Sequence, residues 1–245
     1  MNDIIKLMKN HRSIRKFKDK SIEEDKFRAI IEAGQMAPTS SFIQAYTIIR
    51  VKDKYKKNKI SHYAGEQTYI EEVPEFLIFC ADLNRLKLAC EMNDTEMKEG
   101  YTESFLLSTV DTSLIAQNIL IAAESLGLGG VYIGGIRNNP GKISELLSIP
   151  DNTYPVFGMC LGYPDENSSS KPRLPMEIIL KEDNYSMEGD SEKLEVYDEI
   201  VKEYYNKRTN GKTKKGWTEH ISDKMGKELR PHMRLFLKEK GFEMK

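Results

Sequence analysis

Cysteine is scarce: Cys80, Cys90 and Cys160 are the only three in 245 residues. Their odd number and spacing argue against a disulfide framework, and no C-x-x-C pair points to zinc. Cys80 and Cys160 lie inside apolar runs, where free cysteine is normally simple packing. Excess charge is also missing. With 37 basic and 38 acidic residues the net charge is −1, which removes any global pull toward nucleic acid or anionic lipid, so a basic function must be local. No run approaches the roughly 20 apolar residues of a membrane span. The N-terminus, MNDIIKLMKN, has neither a long apolar stretch nor an A-x-A site. The expectation is a cytoplasmic protein with no membrane and no nucleic-acid partner.

The common nucleotide and hydrolase signatures are absent as well. There is no G-x-x-x-x-G-K-[ST], no G-x-S-x-G elbow and no H-E-x-x-H. LGLGGVYIGG is glycine-rich, but it follows a helical pattern and enters a strand. A dinucleotide fingerprint needs the reverse order, and Tyr132 stands where its last glycine should be.

What is present reads as one large domain, or a domain with an appendage. Asn2 or Asp3 caps a short helix through Met8, with Ile4, Ile5 and Met8 on one face. Ser21 and Glu24 read as a capping box for a helix ending near Gln35, with Phe27, Ile30, Ile31 and Gly34 in a stripe. Residues 45–52, 76–82 and 154–162 read as strands, and HYAGEQ as a loop. From Thr102 to Gly127 runs a helix roughly 39 Å long. It is apolar nearly all round, which suits a central spine or a subunit interface. GGVYIGG is a short strand between glycines, and Asn139 caps a further helix with Pro140 at its first position. A polar loop, YPDENSSSKPRLP, and a linker-like acidic stretch, EGDSEK, precede helices near 191–206, 217–228 and 231–239, the last with Pro231 at its start. Interleaved strands and helices give an α/β or α+β fold.

The polar loops carry the chemistry. HRSIRKF (11–17) offers His11, Arg12, Ser13 and Arg15. APTSSF offers the hydroxyls of Thr39, Ser40 and Ser41, AGEQ offers Gln67, and YIGG offers backbone N–H groups unobstructed at Gly134 and Gly135. KPRLP offers Lys171 and Arg173, braced by Pro172 and Pro175. Together they suit a ligand with a phosphate, a polyol and a flat hydrogen-bonding ring. Taken singly, each has an ordinary reading: surface cations, a helix stop and strand bend, or plain loop composition.

These segments, with EFLIFCADLNR, AAESLGLGGVYIGGIRN, FGMCLGYPDENSSSKPRLP and ELRPHM in order along nearly the whole chain, resemble the FMN-dependent nitroreductase family. The likeness is to its branch of oxygen-insensitive NADPH nitroreductases and NADPH–flavin oxidoreductases. The resemblance implies an α+β fold with a central, mostly antiparallel sheet flanked by helices, in an intertwined homodimer. It implies that Arg12 and Ser13, with His11 nearby, hold the FMN phosphate, and that Lys171 and Arg173 close on it. Arg15 is expected beside flavin N1 and O2, where it favours the reduced state. Thr39, Ser40, Ser41 and Gln67 match the polyol and ring loops. Tyr132, Ile133, Gly134 and Gly135 match the ring edge, with a backbone N–H toward N5. No side chain is assigned as a general acid or base, because the flavin carries the hydride chemistry.

YYNKRTNGKTKKGW (204–217) is the strongest basic cluster. By resemblance it matches the segment that holds the NADPH 2′-phosphate, through Arg208 or Lys207; read alone, it is a solvated loop. The implied organisation is an FMN-binding core, 1–185, and a C-terminal helical extension, 186–245, with a basic NADPH-binding loop. The implied activity is hydride transfer from NADPH through FMN to nitroaromatics, quinones or related small-molecule acceptors, by a ping-pong mechanism. The alternatives are an oxidoreductase that supplies free reduced flavin and a non-catalytic flavin-binding sensor.

Overall fold

The two continuous apolar runs of the sequence become the two central strands of a four-stranded antiparallel sheet, ordered β1-β2-β4-β3. The computed structural model describes all 245 residues. In chain order the elements are α1 (Asp3–Lys9), α2 (Glu24–Gln35), β1 (Tyr46–Arg50), α3 (Lys54–Tyr63), α4 (Tyr69–Glu72), β2 (Glu75–Asp82), α5 (Asn84–Glu91), α6 (Thr102–Ser125), β3 (Gly129–Ile133), α7 (Pro140–Leu146), β4 (Thr153–Gly162), α8 (Met176–Ile179), α9 (Asp190–Arg208), α10 (Trp217–Met225) and α11 (Met233–Glu239). They fall into two compact units, residues 1–168 with 232–245, and residues 169–231.

In the first unit β2 is buried along its whole length, as a central strand with both faces covered must be. One face packs on α2 and α6 through Phe27, Ile30, Leu77, Phe79, Ile115, Ile119 and Met159. The other packs on α3 and α7 through Ile60, Ile78, Ile133, Ile143 and Cys160. Gly34 sits where α2 crosses α6: an added Cβ would lie 2.4 Å from Ile119 Cγ1, so only glycine lets the helices meet this closely. Cys80 and Cys160 are fully buried, and burial pushes the Cys80 thiol up to about 12 and the Cys160 thiol up as well. Both are packing residues, as the sequence suggests.

α6 departs from the expectation of an all-round apolar helix. Ile115, Ile119 and Ala123 are buried, together with Ser108, Asp111 and Thr112, whereas Leu106, Val110 and Leu114 are exposed. By length and a mean hydropathy of 1.4 it has the dimensions of a membrane span, which the sequence reading did not anticipate. Three of the eight residues on its buried face are polar, however, and that face is committed to the sheet and α2.

Two helix starts also differ. α2 begins one residue after Glu23, with no side-chain cap, so Ser21 and Glu24 form no capping box. Instead Glu24 pairs with Arg50 at 2.9 Å, and Arg50 in turn pairs with the buried Glu75. Pro231 lies outside α11, which starts after His232. The Asn2 cap of α1 is as expected, its side chain accepting from Ile5 N at 3.0 Å.

In the second unit α9 and α10 pack through Tyr197 and Trp217, whose ring centroids are 6.3 Å apart. Asp198 accepts from Thr218 N at 2.9 Å. The EGDSEK stretch is not a linker: Asp190 opens α9, is buried, and pairs with Lys181 at 2.7 Å.

Candidate functional site

HRSIRKF is an edge segment clamped to the sheet. Ser13 bridges Gly130 and Phe17 bridges Pro164, Ile14 N donates to Gly130 O at 3.0 Å, and Lys18 N donates to Tyr163 O at 2.9 Å. Glu166 accepts from the backbone N–H of both Arg15 and Lys16. Arg12 donates to Asn167 Oδ1 at 2.9 Å and to Ser168 O at 3.0 Å. His11 pairs with Glu124 at the end of α6. These partners lie more than a hundred residues away in sequence, so no local pattern reveals them.

Gly134 and Gly135 follow β3 at a 3-10 turn. The two do different work. An added Cβ at Gly135 would lie 2.3 Å from Ala64 O and 2.4 Å from Gln67 Nε2, so this residue must be glycine for the 64–67 loop to pack on the turn. At Gly134 an added Cβ would meet only Arg137 Nη2 at 3.5 Å, so its outer side is open. That open side borders a recess lined by Ser113, Gln117, Tyr132, Gly134, Arg137 and Phe157. Tyr132 stands edge-on to Phe157. Burial raises its phenol, and the charge of Glu124 adds to the rise, so the ring is a neutral wall at physiological pH.

Gln67 is held from both ends. Its Nε2 donates to Ala64 O at 3.0 Å, and Tyr69 Oη donates to its Oε1. Tyr69 is also raised by burial, opposed by the adjacent Arg15 guanidinium. Arg15, Gln67 and Tyr69 therefore form one cluster beside the Gly134–Gly135 turn. The sequence reading named Arg15 and Gln67 but missed Tyr69, which carried no signal beyond its position two residues after Gln67.

Thr39, Ser40 and Ser41 sit elsewhere on the same unit. Asp111 of α6, fully buried, accepts from Ser40 N at 3.0 Å and from Ala45 N at 3.2 Å. Ser41 and Phe42 adopt left-handed backbone conformations, and Phe42 is exposed. Asp111 and Glu124 are roughly 20 Å apart along one helix. Within a single chain the hydroxyl loop is thus remote from the His11 end of the basic segment.

Lys171, Arg173 and Arg208 lie in the second unit. Arg173 donates to Lys171 O at 2.7 Å, Lys171 Nζ is 5.3 Å from the centroid of the Tyr205 ring, and Tyr197 Oη donates to Pro172 O at 3.1 Å. KPRLP is thereby braced on α9. Arg208 closes α9, donating to Tyr204 Oη at 2.6 Å, and Lys207 pairs with Glu203 at 2.6 Å. The helix expected near 191–206 therefore runs on to Arg208, into the basic segment.

The residues of the first unit fit a flat, phosphate-bearing group. An open glycine backbone borders a recess walled by Tyr132 and Phe157 on the α6 side of the sheet, and a carboxamide packs on the next glycine from the other side, clustered with a tyrosine and a guanidinium.

Residues 8–163 match the nitroreductase family and residues 171–245 match its C-terminal domain. The chain is 41% identical to the NADPH-flavin oxidoreductase of Vibrio harveyi, over 98% of each chain. It is also 41% identical to the oxygen-insensitive NADPH nitroreductase of Salmonella typhimurium, over 99% of each. Among solved structures, NfrA1 of B. megaterium superposes with a TM-score of 0.96 at 41% identity, covering 99% of this chain and 100% of that one. The NADPH:FMN oxidoreductase of Vibrio harveyi complexed with NAD+ gives a TM-score of 0.91 at 39% identity, covering 100% of both. With the antiparallel sheet, the glycine turn and the clamped basic segment all in place, the chain belongs to the nitroreductase family and has its fold.

Proposed function

We propose that this protein is an NADPH-dependent flavoprotein oxidoreductase that binds FMN in the recess beside Gly134. One observation carries the reading: the turn leaves the Gly134 backbone open beside the neutral Tyr132–Phe157 wall, and the loop of Gln67, with Tyr69 and Arg15, packs on the adjoining Gly135. Bound FMN supplies the hydride chemistry, accepting from NADPH and passing two electrons to a nitroaromatic, quinone or related acceptor. One pocket used by two substrates in turn gives ping-pong kinetics.

The chain's own residues bind and orient. Arg15 offsets negative charge at the pyrimidine edge of the ring. Gln67, locked by Tyr69 and Ala64, offers a fixed hydrogen-bonding edge. Ile133 and Gly135 carry the backbone on either side of the open glycine. His11, Arg12 and Ser13 serve the phosphate, joined by Lys171 and Arg173, and Thr39, Ser40 and Ser41 serve the polyol. Arg208 or Lys207 serves the NADPH 2′-phosphate. On this reading residues 1–185 form the flavin core and 186–245 the coenzyme-binding extension.

We further propose a soluble, cytoplasmic homodimer. Leu106, Val110 and Leu114 of α6, Ile4, Ile5 and Met8 of α1, and Phe42 form exposed apolar surface that a second copy would cover. The separation of the hydroxyl loop from His11 along α6 supports the same assembly, since a partner can bring the two together where one chain does not.

The test is the visible spectrum of the purified protein, before and after anaerobic NADPH and then NADH. A yellow protein bleached by NADPH and re-oxidised by a quinone is expected. A protein that cannot be loaded with FMN, or whose flavin NADPH leaves oxidised, refutes the proposal. The relatives' names include flavin reductases, so FMN retention on gel filtration separates a resident cofactor from an exchanging substrate. Arg173→Ala is expected to weaken FMN retention and leave riboflavin binding unchanged; equal loss of both removes Arg173 from the phosphate.

A further inference from the structure

His11 and Glu124 form a contact that the functional reading so far leaves unexplained. His11 Nδ1 and Glu124 Oε1 are 2.6 Å apart, with side chains 27% and 10% exposed. Glu124 lies in the last turn of α6. A carboxylate is badly placed there on two counts. The C-terminal end of a helix already carries partial negative charge, and the neighbouring segment is the proposed seat of a phosphate. A nearly buried carboxylate in such surroundings is costly unless it is paired, and its partner here is the histidine.

An ionised carboxylate only accepts, so the shared proton sits on Nδ1. That sets both the tautomer and the ring orientation: Nδ1–H toward α6, Nε2 away from it. Glu124 lines a recess with Arg12, Ile14, Gly127, Gly129 and Glu166, so the pair stands at the segment the flavin reading assigns to the phosphate. With Nδ1 taken by Glu124, Nε2 is the ring nitrogen left for that ligand.

We infer that Glu124 is a positioning residue for the cofactor phosphate: by holding Nδ1–H of His11 it presents Nε2 to an oxyanion beside Ser13. This rests on the flavin reading and deepens it. Glu124 touches neither the phosphate nor the ring; the imidazole lies between, so the carboxylate orients a ligand that would otherwise be free to rotate.

The experiment uses the full-length protein and its E124Q, H11Q and H11Q/E124Q variants, with dissociation constants for FMN and for riboflavin. Glutamine keeps the size of glutamate but can offer N–H as readily as C=O, so the tautomer is no longer imposed. Long-range ¹⁵N–¹H spectra of the imidazole should show Nδ1–H in the native protein and a mixture in E124Q. The FMN dissociation constant of E124Q should rise about tenfold, the equivalent of ~1.4 kcal/mol, with riboflavin unchanged. The double variant should be no weaker than H11Q alone. Native FMN affinity in E124Q, equal loss of both flavins, or losses that add in the double variant would overturn the inference. Should E124Q fail to fold, H11Q decides: unchanged FMN affinity there overturns it, and a selective loss for FMN with the native Nδ1–H signal upholds it. A native protein that takes up neither flavin defeats the flavin reading itself, a result distinct from FMN binding alike to native and E124Q protein.

Discussion

The molecule has two basic segments of similar composition, and they are held in opposite ways. Residues 11–17 are pinned by other parts of the first unit: backbone bridges to Gly130 and Pro164, the Glu166 carboxylate on two N–H groups, and the His11–Glu124 pair. Residues 204–217 are held by their own neighbours. Lys207 pairs with Glu203, Arg208 with Tyr204, and Lys215 with Glu219 and Asp223. These are exposed contacts within or next to a single helix, weak because solvent screens them. A rigid frame suits a group that stays bound, because little ordering is left for the moment of binding. A loosely held cluster suits a coenzyme that arrives and leaves in every cycle.

That contrast can be broken or sharpened by substitution, beginning with the frame. Gly135→Ala places a Cβ against the Ala64 carbonyl and Gln67 and should cost about 1–3 kcal/mol, lowering the thermal midpoint by several degrees. Gly134→Ala, facing open space, should leave the midpoint where it is while weakening flavin binding. Equal midpoints for the two variants would show that the turn is not a fixed platform.

Arg15→Ala should slow NADPH reduction of the flavin by roughly tenfold to a hundredfold and lower its midpoint potential, with FMN retention less affected. Stopped-flow reduction and dye-linked potentiometry measure both. Loss of FMN without a change in potential would assign Arg15 to binding alone.

In the second segment Arg208→Ala should raise KM for NADPH a few-fold, leave KM for NADH unchanged, and lose its effect as salt is added. Identical behaviour with both coenzymes would detach this residue from the 2′-phosphate and shift attention to Lys207.

The smallest effect concerns an anchor of the frame. The Tyr163 hydroxyl, foremost, with Glu23's own backbone N–H and Lys20, holds the Glu23 carboxyl down to about 2. A depressed carboxylate contributes stability that is present above its ordinary value of 4.5 and is lost as pH falls toward about 2. Tyr163→Phe should move the Glu23 midpoint back up within that window, as read by carboxyl ¹³C NMR. Because Glu23 is exposed, little change in global stability is expected. An unmoved midpoint would leave Lys20 and the backbone as the anchors.

Much of the scaffold was legible because burial writes itself into local patterns. The runs at 76–82 and 154–162 became β2 and β4, and the 102–127 stretch became α6 with Gly127 beyond its end. α3 was missed because its pattern is masked by lysines. One of these, Lys57, is buried and donates to Val73 O at 2.5 Å, and burial lowers its ammonium pKa. No periodicity rule counts a buried lysine as apolar. The Ser21–Glu24 box failed because the helix starts after Glu23, two residues later than the box requires, and Glu24 pairs with Arg50 instead. The site divides in the same way. Residues with chemical character of their own, such as Arg15, Gln67 and the Gly134–Gly135 pair, stood out in sequence. Those that act by holding others, namely Asp111, Glu124 and Glu166, are defined by long-range partners and could not, and Tyr69 carried no signal beyond its place near Gln67.

Asp111 also couples two properties that are usually separate. It anchors the hydroxyl loop from the buried side of α6, while its neighbour Val110 and the adjacent Leu106 and Leu114 leave a bare apolar stripe on the same helix. In the proposed homodimer, covering the stripe and seating the loop become one event, governed by mass action. Diluting the enzyme should release yellow cofactor with the same midpoint at which the pair of chains comes apart.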